Sequence, residues 1–287
     1  MSIQNFIPSL WSADVLSALR ANLVATGITN QNYKGEISGG GDVVKINEIS
    51  EVTIRDYTSN STSEITSEYL SDAQKELVID NQKYFNWEID DVDAAQAVGN
   101  VREQAMASGG HGLAQAMDDS VLALHGSAGI TTSLGSTGSG INITSANVLE
   151  YVSLVSGRMD QANVPQVGRW ICVPPWFAHK MQLAKIELNR APVAADEAYA
   201  RGYLGTTEYG FAVYVSSRVV NGNFTDNAKV LAGYTGSITS ASQITKVQSF
   251  VSQKRFTDTV RGLFVYGVKV VRPNSLACLT ADYTAEA

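Results

Sequence analysis

KYFNWEIDDVDAAQAVGNVREQAMASGGHGLAQAMDDSVLALH, residues 83–125, changes its period part-way along. Phe85, Trp87 and Ile89 alternate with Asn86, Glu88 and Asp90, the period-two pattern of a half-buried strand. Beyond Asp91 the period becomes helical. Val92, Ala95, Gly99, Met106, Gly110, Leu113, Ala114, Met117, Val121 and Leu124 fall in one apolar arc, with Asp93, Asn100, Gln104, Gln115 and Asp118 away from it. Asp90 and Asp91 suit the helix cap, and Asp93 suits its positive end. The spacing predicts a helix of roughly 33 residues, about 50 Å long at the standard rise, well beyond the usual globular helix. Such a rod needs the rest of the chain packed along it.

Working outward, residues 1–35 read as an arm. Ser12 precedes a short helix with Val15, Leu16, Leu19 and Leu23 on one side, which Gly27 ends. Phe6, Ile7, Leu10 and Trp11 add apolar surface that one short helix cannot cover. After the breaker SGGGD (38–42), runs at 43–49 and 52–57 read as strands, and TSNSTSE (58–64) reads as a turn. Residues 71–74 interrupt the return leg, and Leu77, Val78 and Ile79 resume it. The whole reads as a long β-hairpin without a core face of its own, which is marginal in water and calls for an external surface.

Beyond the rod, residues 126–140 read as a flexible Gly/Ser/Thr loop. Ser145 is expected to cap a helix carrying Val148, Leu149, Val152, Val155 and Met159, which Pro165 terminates. RWICV (169–173) reads as a buried strand ended by Pro174 and Pro175. Residues 176–188 follow as helix, 202–210 as loop, and 211–215 and 229–232 as strands. Residues 249–266 and 268–271 read as a closing pair of strands around Gly267, and a last strand runs through Leu276 and Leu279. Helices and strands mix without a βαβ rhythm, so the class is α+β.

Composition narrows the function. The 287 residues are 44% hydrophobic and 17% charged, enough for a substantial core, with a surface low in charge and open to subunit contacts. A formal net charge of -7 argues against a dedicated nucleic-acid binder. Cys172 and Cys278 stand beside apolar residues and read as two buried, reduced thiols. No apolar run is long enough to cross a membrane, and no signal segment opens the chain. A metal-dependent enzyme built on Asp90, Asp91 and Asp93 is one functional class, but helix capping accounts for the same residues. His111, His125 and His179 form no metal-ligand pair. GSTGSG (135–140) follows a loop rather than a strand, so it makes no dinucleotide fingerprint. No catalytic, cofactor or metal site is expected.

The order of phrases resembles one family, the major capsid proteins of tailed bacteriophages with the Hong Kong-type shell fold. IPSLWSADVLSALRANLVATGITN (7–30) resembles that family's N-terminal arm. GDVVKI (41–46) through YFNWEIDDVDAAQA (84–97) resembles its extended loop and the entry to its spine helix. VPQVGRWICVPP (164–175) and GYLGTTEYGFAVYVSS (202–217) resemble the axial domain, and FTDTVRGLFVYGVKVVRPNSLACL (256–279) resembles the peripheral-domain strands. The resemblance implies an arm at 1–37, a hairpin loop with flanking strands at 38–90, and spine helix and peripheral domain at 91–140. It then implies an axial domain at 141–248 and return strands at 249–287. It implies a non-enzymatic shell protein, assembled in the host cytoplasm into hexamers and pentamers of an icosahedral capsid around duplex DNA. An encapsulin-like nanocompartment is the alternative.

Portal and decoration proteins are the further partners implied. Because no long acidic or helical leader precedes the arm, a separate scaffolding protein, or none, is expected. Subunit contacts are expected at Phe6, Trp11, Leu16 and Leu19 of the arm and at Arg55, Asp56, Tyr57, Glu64 and Glu68 of the hairpin. Some family members join subunits through a hairpin lysine. Residues 55–70 contain none, so a non-covalent shell is expected. Since shells of this family expand, Gly109 and Gly110 in mid-helix are expected to form a hinge.

Overall fold

The computed structural model describes residues 24–32, 43–49, 54, 72–90, 101–184, 188–189, 202–224, 226–251 and 257–285. In chain order, α1 (Ala25–Ile28) is followed by β1 (Val43–Ile49), β2 (Asp72–Val78), β3 (Asn81–Asp90) and α2 (Val101–Leu122). A 3-10 turn (Ala123–Ser127) leads to β4 (Ile141–Ile143), α3 (Val148–Gln161), β5 (Arg169–Val173) and α4 (Pro175–Leu183). Then come β6 (Leu188–Asn189), β7 (Tyr203–Thr207), β8 (Ala212–Val215), β9 (Ala228–Tyr234), β10 (Ile238–Val251), β11 (Thr257–Val270) and β12 (Leu276–Tyr283). Few helices and several sheets make the fold α+β. Among the described residues no helix is long and apolar enough to cross a membrane.

The described strands form three sheets: β1-β2; β10-β11-β3; and a mixed sheet in the order β4-β12-β9-β5-β8-β7-β6. Period two explains how the large sheet carries two cores. Trp170, Cys172, Leu231, Leu276 and Cys278 face the core shared with α1, α2 and the three-stranded sheet. Their neighbours Ile171, Val173, Val230, Ala232, Ala277 and Leu279 face the opposite core, under α3 and α4. RWICV is therefore buried at all five positions, the continuous apolar run of a strand covered on both faces. Cys172 and Cys278 both stand opposite Leu231 on the two strands flanking β9. Two strand spacings, roughly 9–10 Å, exceed disulfide reach, and both thiols are free and buried. Burial pushes the Cys172 thiol up to about 12.

The hairpin reading holds at its base: β1 and β2 are antiparallel, with Val43 opposite Val78 and Ile49 opposite Asp72. Asp72, Ala73 and Gln74 belong to the strand and do not interrupt it. The base also finds cover within its own chain. Val44, Ile46, Leu77 and Ile79 pack on Ala241, Val265 and Val271, and Lys75 Nζ donates to the Val271 carbonyl at 2.6 Å.

That contact corrects the reading of Gly267. β11 runs unbroken through it, pairing along its length with β10 and β3. The glycine is there because a Cβ would stand 2.5 Å from the Val78 carbonyl oxygen of the hairpin crossing over it.

Other boundaries shift for local reasons. Residues 203–207 form strand β7, paired with β8, where a loop was expected; Gly202 and Gly210, both at positive φ, bracket it. α4 stops at Leu183, and Leu188 lies in β6, not in helix. Asn147, not Ser145, occupies the N-cap of α3. Its side chain serves the preceding turn, accepting from the Thr144 amide at 2.8 Å and donating to the Asn142 carbonyl at 2.8 Å. Asn163 ends the helix in the left-handed region at φ 56°, with its amide bonded to the Asp160 carbonyl and that of Val164 to Met159. The Gly/Ser/Thr segment at 126–140 is fastened rather than loose. Ile130 bridges to Ala277, Leu134 is fully buried, and buried Lys229 donates to Thr137 Oγ1 at 2.8 Å.

Candidate functional site: the long helix and its attachments

α2 is continuous from Val101 to Leu122, so two separate helices do not meet at Gly109 and Gly110. The expected span at 91–100 lies outside the described residues. Met106, Leu113, Ala114, Met117 and Val121 of the predicted arc are buried in the core with Val247, Val260, Phe264 and Tyr266. The covered stripe is wider than that arc, with half-buried Gly109 on one side and buried Asp118 and Leu122 on the other.

On one flank stands Gly109, about 40° outside the arc at 100° per residue. A Cβ there would lie 3.3 Å from Phe85 Cγ. Phe85 pairs with Gly262 across β3 and β11, and a Cβ on Gly262 would collide with the same ring. The ring is thus wedged between two glycines, one on the helix and one on the strand. Gly110 is buried.

On the other flank stands Asp118, also about 40° outside the arc at 100° per residue yet only 5% exposed. Its Oδ1 accepts the Ala25 amide at 2.9 Å, a contact spanning 93 residues of sequence. This fixes α1, whose Ala25 and Ile28 are buried in the same core. Gly27 lies inside α1 rather than beyond its end, and a Cβ there would meet the Tyr214 ring at 2.8 Å. Burial raises the Asp118 carboxyl to about 6, against the lowering influence of the Ala25 and Val24 amides. Next along, Asp119 takes both arms of the Arg218 guanidinium, Nε at 2.7 Å and Nη2 on the other oxygen. Ser120 Oγ then meets Tyr266 Oη at 2.9 Å. Three consecutive helix residues therefore tie α1, the loop after β8 and the three-stranded sheet to one turn. The helical periodicity alone places Asp118 away from the apolar arc. The available signal was Leu122, one turn further on at the same side and buried, which marks that side as covered.

The far face of the three-stranded sheet carries a cavity of about 450 Å³ lined by Tyr84, Asn86, Lys246, Gln248, Arg261, Gly262 and Leu263. Arg261 is held there by two bonds to Gln248 Oε1, at 3.0 and 2.6 Å, and lies over the Phe250 ring. Tyr84 is 77% exposed.

The expected contact residues Phe6, Trp11, Leu16, Leu19, Arg55, Asp56, Tyr57, Glu64 and Glu68 lie outside the described residues, as do Asp91, Asp93 and the side chain of Asp90. Among the described residues no three His, Cys, Asp or Glu side chains converge as metal ligands.

No protein-family model matches the chain, nor does any curated protein. Solved structures do. One of Mycobacterium phage Che8 is 26% identical, with a TM-score of 0.70 and 90% of each chain covered. The capsid structure of cyanophage P-SCSP1u is 19% identical, with a TM-score of 0.64 over 86% of this chain and 85% of that one. A virus-like particle from Pyrococcus furiosus is 9% identical, with a TM-score of 0.55 over 95% of this chain and 98% of that one.

Proposed function

We propose, from a chain that has the fold of the tailed-phage major capsid proteins, that it builds an icosahedral shell around double-stranded DNA. The observation that carries the reading is the likeness to Che8, which spans 90% of both chains. Likeness to phage capsids supports a structural, non-enzymatic role, self-assembly and a place in the virion. α2 is then the spine helix, and the large sheet with α3 and α4 forms the axial domain. The partition at 1–37, 38–90, 91–140, 141–248 and 249–287 belongs to the same proposal.

In this reading residues 1–23 and the outer hairpin make the contacts between copies, through Phe6, Trp11, Leu16 and Leu19 and through Arg55, Asp56, Tyr57, Glu64 and Glu68. Hexamers and pentamers close the shell, with portal, decoration and scaffolding proteins as possible further components. Gly109 and Gly110 are the place where the spine bends as the shell changes curvature. The wall touches DNA weakly, since a chain of net charge -7 has little surplus cation for phosphate.

The likeness to the Pyrococcus furiosus virus-like particle favours a second reading, an encapsulin-like compartment. One experiment separates them. Particles from cells infected by the parent phage, purified and treated with nuclease, are imaged by electron microscopy and their contents extracted. Protected duplex DNA in closed shells is expected. Shells filled with protein and lacking DNA support the compartment, and a protein that stays monomeric under all conditions refutes both.

A further inference from the structure

We propose that residues 24–30 are a strap that seats or lifts as one piece, so that loosening it at the large sheet or at the spine helix frees the outer edge of β10. The inference rests on contacts within one chain. It goes beyond the shell reading and does not depend on it.

The contacts of this segment reach the spine helix, the large sheet and the three-stranded sheet. On the spine helix, Asp118 Oδ1 accepts the Ala25 amide at 2.9 Å. On the large sheet, Tyr214 of β8 packs against Gly27, where a Cβ would come to 2.8 Å from its ring, and Tyr214 Oη donates to the Gly27 carbonyl at 3.4 Å. Val24 stands against Gly202, where a Cβ would come to 3.4 Å from Val24 Cγ2. On the three-stranded sheet, the Asn30 amide donates to the Ile238 carbonyl at 2.8 Å, and the Ser240 amide donates to the Asn30 carbonyl at 3.0 Å. These bonds make a parallel bridge to the start of β10. Beside the bridge, Thr29 Oγ1 and Ser240 Oγ meet at 2.7 Å, both residues being buried. Thr29 Oγ1 also donates to the Ala25 carbonyl at 2.8 Å, which joins one end of the strap to the other.

α1 has four residues, too few to keep a helical shape without the surfaces it lies on. Losing one surface therefore weakens the hold on the other two. The bonds at Asn30 occupy backbone groups on the outer side of β10, which stands at the edge of its sheet among the described strands. An edge with such groups free is a template for another chain. Seated, the strap covers the start of that edge; lifted, it bares the Ile238 carbonyl and the Ser240 amide. Residues 1–23 lead directly into the strap, so a pull on them is passed to β10.

Amide hydrogen exchange resolved to single residues tests this on the full-length protein in one assembly state. The Ala25 amide reports the spine-helix end, and the Asn30 and Ser240 amides report the β10 end. The Ala241 amide, on the side of β10 turned to β11, is the reference. After correction for intrinsic rates, the three reporters should share one protection factor, lower than that of Ala241. Tyr214→Ala, a change at the large sheet, should lower all three by the same factor, about tenfold relative to Ala241. Asp118→Ala, a change at the spine helix, should lower Asn30 and Ser240 together. Reporters with unequal protection in the wild type overturn the proposal, as does protection equal to that of Ala241, which means that the strap lifts only with the sheet. Ser240 protection unmoved by Tyr214→Ala or by Asp118→Ala also overturns it. If one variant does not fold, the other and the wild type decide the matter.

Discussion

Alanine at two glycines of one helix should have opposite effects. Gly109 and Gly112 both lie within α2, where replacing glycine with alanine gains about 0.5–1 kcal/mol of backbone entropy and propensity. At Gly112 a Cβ meets nothing within 4 Å, so Gly112→Ala should realise that gain in full. A shift in Tm of about 1–2 °C is expected for a chain of this size. At Gly109 the Cβ arrives 3.3 Å from Phe85 Cγ. The ring cannot recoil, because its other side rests on Gly262, where there is no room even for a methyl group. Overpacking of this kind costs about 1–3 kcal/mol, which cancels or exceeds the propensity gain. Gly109→Ala should therefore melt at or below the wild-type temperature, contrary to the stabilisation expected of an unencumbered helix position. Scanning calorimetry of the variants in one common assembly state provides the comparison. In a Phe85→Ala background the crowding is gone, and Gly109→Ala should regain about 0.5–1 kcal/mol. Equal stabilisation by Gly109→Ala and Gly112→Ala, or an effect of Gly109→Ala indifferent to Phe85, would refute the wedge.

Truncation should stop at residue 23, since Ala25 and Ile28 are core residues; a chain lacking residues 1–23 should fold with a wild-type melt yet form no shells, and normal shells would remove the arm from the interface. Denaturing gels of mature particles should show one band near 30.7 kDa, because Lys75 is engaged with the Val271 carbonyl at the hairpin base and the outer hairpin has no lysine; a ladder of higher bands would contradict this. Purified protein should bind duplex DNA weakly and without sequence preference, and tight association with a steep salt dependence in a filter-binding titration would contradict that.

The elements legible in the sequence were those whose pattern and environment agree. β3 alternates and is half-buried, β5 is apolar throughout and covered on both faces, and α4 starts at a proline that suits a first turn. What could not be read depends on partners distant in sequence. Gly267 looks like a break until the hairpin backbone is seen lying on it. Tyr203–Thr207 has a glycine at its centre and Gly202 and Gly210 on either side, which mask the strand-favouring Tyr and Thr, and β8 offers it a ladder. Asp118 looks solvated, since nothing local reveals that an amide 93 positions earlier comes to its carboxylate. At Gly109 nothing local reveals that an aromatic ring from another element lies against it.

The placement of β3 also has a consequence for how the chain is made. Among the described residues its one strand partner is β11, and the contact between Glu88 and Thr257 joins residues 169 positions apart. On the ribosome, β3 emerges long before that partner exists. Phe85 and Trp87 must then wait on an unpaired strand while the large sheet gathers its early members, and the spine helix has no sheet to lie on. A naked aromatic edge is a template for joining other chains, and long-range pairing is slow to form. The nascent subunit is therefore most adhesive before it has its finished shape, so a folding helper that shields residues 81–90 during synthesis should raise the yield of soluble subunit more than one acting after release.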